Sequence, residues 1–176
     1  MTGSAVLAVG AEVTQTHELI RSRCLGILQA LATSIIWVGS SVFSDEYFDH
    51  DKTYLHRYYA FFCVTFGATL GIFLAYDLFT VFVFFEVMSF ASYALVAHNQ
   101  DADSIAAGNS YLTVAVLGGL VVLMGIFMLN SIAGTLVISQ LQQACAPYVG
   151  TPALYATGFM IFFGFAAKAG MFPLHG

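Results

Sequence analysis

The chain has 176 residues, enough for one ordinary domain, yet 59% of it is hydrophobic and only 9% charged. Soluble domains carry about 25% charged residues, so these few charges cannot form the polar skin of a globule, and a soluble enzyme, a disordered chain and a nucleic-acid binder are excluded. Ten acids against five Lys and Arg give a net charge of −5 and leave no basic stripe for phosphate or for a whole anionic lipid surface.

In chain order, residues 1–23 form a polar N-terminal segment. Its short apolar run at 5–11 is followed by Glu12 and Glu18, without the basic start and long apolar stretch of a cleaved signal. Residues 24–44 then contain no Asp, Glu, Lys or Arg, and about 20 apolar residues cross a ~30 Å hydrocarbon core. A first span over 24–43 follows. The run DEYFDHDKTYLHR after it is too charged for hydrocarbon and reads as a solvated loop. Its Asp45, Glu46, Asp49, His50 and Asp51 lack the spacing of a cation site.

Residues 58–97 hold two charges, Asp77 and Glu86. As one helix they would run about 60 Å, twice the core thickness. The segment therefore folds back at Asp77, which can cap the next helix, giving spans over 57–76 and 78–97. After HNQDAD, residues 104–167 are charge-free. Their middle, SQLQQACAPYVGTP, reads as an interfacial loop within 132–153. Spans over 110–131 and 154–173 flank it, the last one broken near Pro173. The fold class is all-α, a polytopic integral membrane protein of about five transmembrane helices.

Orientation is not readable, because Arg21 and Arg23 on one side balance Lys52 and Arg57 on the other. Gly67 and Gly71 on the second span, and Gly118 and Gly119 on the fourth, suit close helix packing. Cys24, Cys63 and Cys145 have no pairing pattern and read as small packing residues. No P-loop, dinucleotide fingerprint, haem motif or catalytic triad is present, so no cofactor, no metal and no redox site of its own are expected.

Two ionisable groups stand well inside the apolar runs. Glu86 lies in VFVFFEVMSFASY near the middle of its span, where a short acid cannot reach water by snorkelling. Ser89 at i+3 and Tyr93 at i+7 fall on its face and form a thin polar stripe. Lys168 lies near the end of the last span, followed by Gly170 and Pro173, where a broken helix can face a cavity. Desolvation favours the neutral form of such groups and a nearby opposite charge the ionised form, so each is the other's obvious partner. Proton uptake and release coupled to opening and closing of the pair is the expected chemistry, although a buried pair could also merely pin helices together. His98 at a span end could pass protons to water.

Three stretches, DLFTVFVFFEVMSFASYALVAHN, IAAGNSYLTVAVLGGLVVLMGIFML and FFGFAAKAGMFPLHG, closely resemble the antiporter-like, proton-conducting membrane subunits of respiratory complex I (NADH:quinone oxidoreductase). The same domain occurs in Mrp-type cation/proton antiporters and membrane-bound hydrogenases. The resemblance spans most of residues 54–176, and residues 24–43 fit the family's third helix less distinctively. It implies that Glu86 and Lys168 are the family's proton-translocating pair; Ser89, Tyr93, His98 and His175 are candidates for a proton path beside it. The implied partners are other membrane subunits, lipid and protons, with Na+ as the alternative coupling ion. The implied location is a bacterial cytoplasmic membrane, and 24–176 is expected to be a partial proton-translocating domain. The family's opening helices and its continuation into W-L-P-x-A have no counterpart, so the chain is expected to be an internal fragment that conducts nothing alone.

Overall fold

The computed structural model describes residues 2–47, 55–97 and 101–169, with side chains from residue 23 onward except Asp45 and Tyr47. The elements are α1 (Thr2–Tyr47), α2 (Leu55–Leu74), α3 (Leu78–Val96), α4 (Ala102–Ala133), a short α5 (Ile138–Cys145) that runs into a single 3-10 turn (Ala146–Tyr148), and α6 (Pro152–Lys168). No β-strand is formed among the described residues. Four helical segments are long and apolar enough to cross a membrane: Arg23–Ser44, Leu55–Leu74, Leu78–Val96 and Ala102–Ala133. The protein is thus an all-α polytopic membrane protein.

Two helices outrun their expected spans. Helix α1 reaches back to Thr2, because no proline occurs before Pro147 and the Ala- and Val-rich start can propagate helix. Helix α4 begins at Ala102 rather than near residue 110, with Asp103 in its first turn, where an acid complements the helix dipole. It ends at Gly134, whose φ of 70° is the left-handed conformation that glycine adopts without strain. Helix α6 starts with Pro152 at its first position, where the missing N–H is not needed. Its 17 residues amount to roughly 25 Å, slightly less than a hydrocarbon core. Whether the last span breaks near Pro173 lies outside the described residues.

Successive helices pack antiparallel. Along α1 and α2, Ser44 is hydrogen-bonded to the Tyr58 hydroxyl at 3.0 Å. Trp37 lies against Phe62 and Phe66 at 5.5 and 5.6 Å between ring centroids. At the other end of this contact, Gly26 lets the α1 backbone approach the carbonyl of Phe73. Helix α4 is the central element, packed against α3 on one side and α6 on the other. Its Val122 and Ile126 are fully buried, and the surrounding core is built of small residues: Ala91, Ala115, Ala166 and Ala167. Small side chains let helices approach closely where lipid supplies no hydrophobic drive between them. Large apolar side chains instead face outward, among them Leu31, Ile35, Val38 and Val42 on α1.

One end of the bundle is stitched through the backbone. The Leu78 amide donates to the Leu136 carbonyl at 3.0 Å and the Ile138 amide to the Tyr76 carbonyl at 3.2 Å. These bonds join the α2–α3 turn to the segment entering α5. Asp77 caps α3: its Oδ1 accepts from the Thr80 amide at 2.9 Å and its Oδ2 from the Thr80 hydroxyl at 2.7 Å. Those bonds hold the Asp77 carboxyl below its ordinary value.

Candidate functional site

The ninth residue of α3 is Glu86, and the last residue of α6 is Lys168. Antiparallel packing of α3 on α4 and of α4 on α6 brings them to the same depth. Lys168 Nζ donates to Glu86 Oε1 at 2.7 Å and to Ser89 Oγ at 2.5 Å. The lysine side chain is 5% exposed and the glutamate 20%, so the pair is largely withdrawn from solvent within this bundle.

The neighbours complete a cation-holding niche. Ser89 is 1% exposed and donates its own hydroxyl to the Phe85 carbonyl at 2.7 Å, which leaves its oxygen turned toward the lysine. The ammonium lies 4.1 Å from the centre of the Phe85 ring, within range of cation–π attraction. Phe165 meets that ring edge-on at 4.6 Å and 74°, the favourable electrostatic arrangement of two aromatic rings. Thus carboxylate, hydroxyl and π face together replace the water an ammonium would otherwise keep.

Two glycine contacts make this geometry possible. Gly119 of α4 faces the Glu86 carboxylate, and a Cβ there would overlap Oε1 and lie 2.9 Å from Cδ. Gly118 of α4 and Gly164 of α6 meet backbone to backbone. A Cβ on Gly164 would lie 2.6 Å from the Gly118 carbonyl, and one on Gly118 would lie 3.1 Å from the Gly164 carbonyl. The first contact leaves room for the acid; the second draws α6 close enough for Lys168 to reach it.

The residues of the polar stripe expected from spacing find different partners. Ser89 joins the pair, whereas the Tyr93 hydroxyl points to Asn109 Oδ1 at 3.4 Å across the α3–α4 interface. His98 and His175 lie outside the described residues. Nothing in the sequence singles out Asn109, Phe85 and Gly119 as site residues, since in an apolar helix their types signal packing or capping as readily as chemistry. Of the two glycines on α2, Gly71 abuts the Phe84 ring, while Gly67 has open space beside it and serves no close approach. Cys24 and Cys63 are exposed, Cys145 is half-buried, and all three are free thiols. Among the described residues no group of three or more His, Cys, Asp or Glu could hold a metal ion.

Comparison with known proteins places residues 75–176 in a match to the family model described as NADH:quinone oxidoreductase/Mrp antiporter, transmembrane. A Na(+)/H(+) antiporter subunit of Alkalihalophilus pseudofirmus is 28% identical over 173 residues, covering 98% of this chain and 35% of that protein. Hydrogenase-4 component B of Escherichia coli is 31% identical over 165 residues, 89% of this chain and 23% of that protein. An NADH-quinone oxidoreductase subunit of Desulforudis audaxviator is 32% identical over 119 residues, 68% of this chain and 24% of that protein. The chain spans about a third or less of the length of these relatives.

Proposed function

The chain belongs to the NADH:quinone oxidoreductase/Mrp antiporter transmembrane family, and on that premise we propose that it moves protons across a membrane through the Glu86–Lys168 pair as part of a larger membrane assembly. The observation that carries this reading is the 2.7 Å contact between a mid-helix acid and a lysine from a different helix. With the carboxylate in contact, the ammonium is the favoured form of the lysine. When helix movement draws the carboxylate away, an unpaired ammonium is left among apolar groups, where the neutral amine is favoured and a proton is released. Ser89, which both donates and accepts hydrogen bonds, suits the passing of a proton between successive partners.

The finer reading is an antiporter-like subunit of a complex-I-type NADH:quinone oxidoreductase in a bacterial cytoplasmic membrane, with redox chemistry confined to partner subunits. The 32% identity to an NADH-quinone oxidoreductase subunit supports it. The match of nearly the whole chain to a sodium/proton antiporter subunit supports a second reading, in which an ion gradient drives the exchange. The two differ in the source of energy, not in the pair.

The test is proton flux in the intact membrane assembly carrying Glu86→Gln, Lys168→Ala, or Glu86→Gln with Lys168→Met. Each change should lower flux on the order of 100-fold, the low end for loss of a positioned proton-transfer group. Unchanged flux in the neutral double variant would reduce the pair to a helix pin. Flux that requires NADH identifies the oxidoreductase reading, and flux driven by an imposed sodium gradient the antiporter reading.

A further inference from the structure

A cleft of about 440 Å³ opens at the stitched end of the bundle, between the part of α1 around Arg23, the end of α2 and the start of α5. Its size is that of sites that take small organic ligands. Ile27, Ile72 and Ile138 supply apolar wall, while Arg23, Gln29, Tyr76 and Ser139 supply the polar part of the lining. The order along the chain matches a bilayer. Arg23 stands immediately before the charge-free run at 24–44, Tyr76 lies in the α2–α3 turn, and Ser139 opens the short helix between two spans. Arg23, Tyr76 and Ser139 thus sit at headgroup level, where tyrosine and arginine are favoured, while Ile27 and Ile72 stand four residues further into their helices, roughly 6 Å deeper, with Gln29 beyond Ile27 on α1.

The charge arrangement selects what enters. Arg23 forms no ion pair with a carboxylate among the described residues, so its guanidinium remains available to an external anion, which it can bind bidentately if that anion is a phosphate. The chain lacks a basic stripe for a whole lipid surface, but one molecule held in a cleft needs only one cation. Gly26 keeps the α1 backbone against the Phe73 carbonyl beside the cleft, which fixes the spacing of two of its walls.

We propose that this cleft holds a single anionic phospholipid, its phosphodiester on Arg23 with the Tyr76 and Ser139 hydroxyls as further donors, and one acyl chain along Ile27, Ile72 and Ile138. The site is separate from Glu86 and Lys168 and does not depend on the proton-translocation reading.

The full chain, reconstituted in phosphatidylcholine nanodiscs with a trace of phosphatidylglycerol bearing a photoreactive acyl chain, tests this directly. Label should map to the peptides containing Ile27, Ile72 and Ile138. Unlabelled phosphatidylglycerol should compete roughly fivefold better than phosphatidylcholine, the effect of about 1 kcal/mol from one basic residue near the headgroups. In Arg23→Gln the preference should fall to parity while photoreactive phosphatidylcholine still labels the cleft; Arg23→Lys should keep the preference. Equal competition by the two lipids in the unaltered chain, label confined to other helices, or an anionic preference that survives Arg23→Gln would overturn the proposal.

Discussion

Gly119 and Glu86 fit each other as void and filler: the carboxylate of Glu86 occupies the space that a side chain on Gly119 would take. The obstructed atoms belong to the far end of a flexible side chain, so the acid can swing aside while the helices stay in place. Gly119→Ala should therefore leave the fold intact, with a stability loss near the low end of about 1–3 kcal/mol for overpacking. Proton flux should fall about tenfold as the pair lengthens. Thermal melting and flux on the same preparation check this, and a large drop in melting temperature with normal flux would contradict it.

Gly164→Ala should do the reverse. Its Cβ would meet the Gly118 carbonyl at 2.6 Å and the Val122 amide nitrogen at 3.0 Å, and backbone cannot rotate away. The expected result is separation of α6 from α4, with a destabilisation of about 1–3 kcal/mol and a loss of flux that follows the loss of folded protein. Hydrogen exchange should localise the loosening to α4 and α6.

Removing one member of the ion pair should destabilise more than removing both. Lys168→Ala leaves Glu86 without its cation, and breaking such a buried pair costs about 3–5 kcal/mol. The neutral, shape-conserving double change Glu86→Gln with Lys168→Met leaves no uncompensated charge and should recover most of that loss. Comparing the denaturation midpoints of wild-type, Lys168→Ala and the double variant decides the point.

Asp77 provides a pH-dependent prediction outside the spans. Its carboxyl is held below the ordinary value of 3.8, first by the Thr80 hydroxyl and then by the Thr80 amide. A carboxyl lowered by folding contributes stability that is complete above the unfolded value and is lost as the pH falls through the folded one. Asp77→Ala should thus cost about 1 kcal/mol at neutral pH, and the difference from wild-type should shrink below pH 3.8. An equal difference at both pH values would mean that the cap acts through shape alone.

The bundle was legible in the sequence where hydrocarbon forces the choice. A charge-free run of adequate length has few destinations, and Asp77 between two such runs marks a turn with a cap. Glu86 and Lys168 stood out in the sequence as the ionisable groups well inside the apolar runs, but not the distance between them, which depends on how α3, α4 and α6 pack. What escaped depends on three-dimensional register. Gly119 was marked with Gly118 for close packing, but that it faces the Glu86 carboxylate was not, and Phe85 is one of 17 phenylalanines; only the packing of α3, α4 and α6 gives each its place at the pair. Tyr93 shares a helical face with Glu86, and that its hydroxyl donates to Asn109 of α4 depends on the register of α3 on α4. The backward extension of α1 to Thr2 was not legible from hydropathy, which reports burial in lipid rather than helix continuity.

The backbone bonds between Leu78 and Leu136 and between Ile138 and Tyr76 turn the base of α3 into a fulcrum. Glu86 stands eight residues along that arm from Leu78, roughly 12 Å away. A rocking of roughly ten degrees about the anchored base would carry the carboxylate about 2 Å, enough to break a 2.7 Å contact. Small angular motions of one helix, with no unwinding and no sliding along its axis, suffice to connect or disconnect the pair.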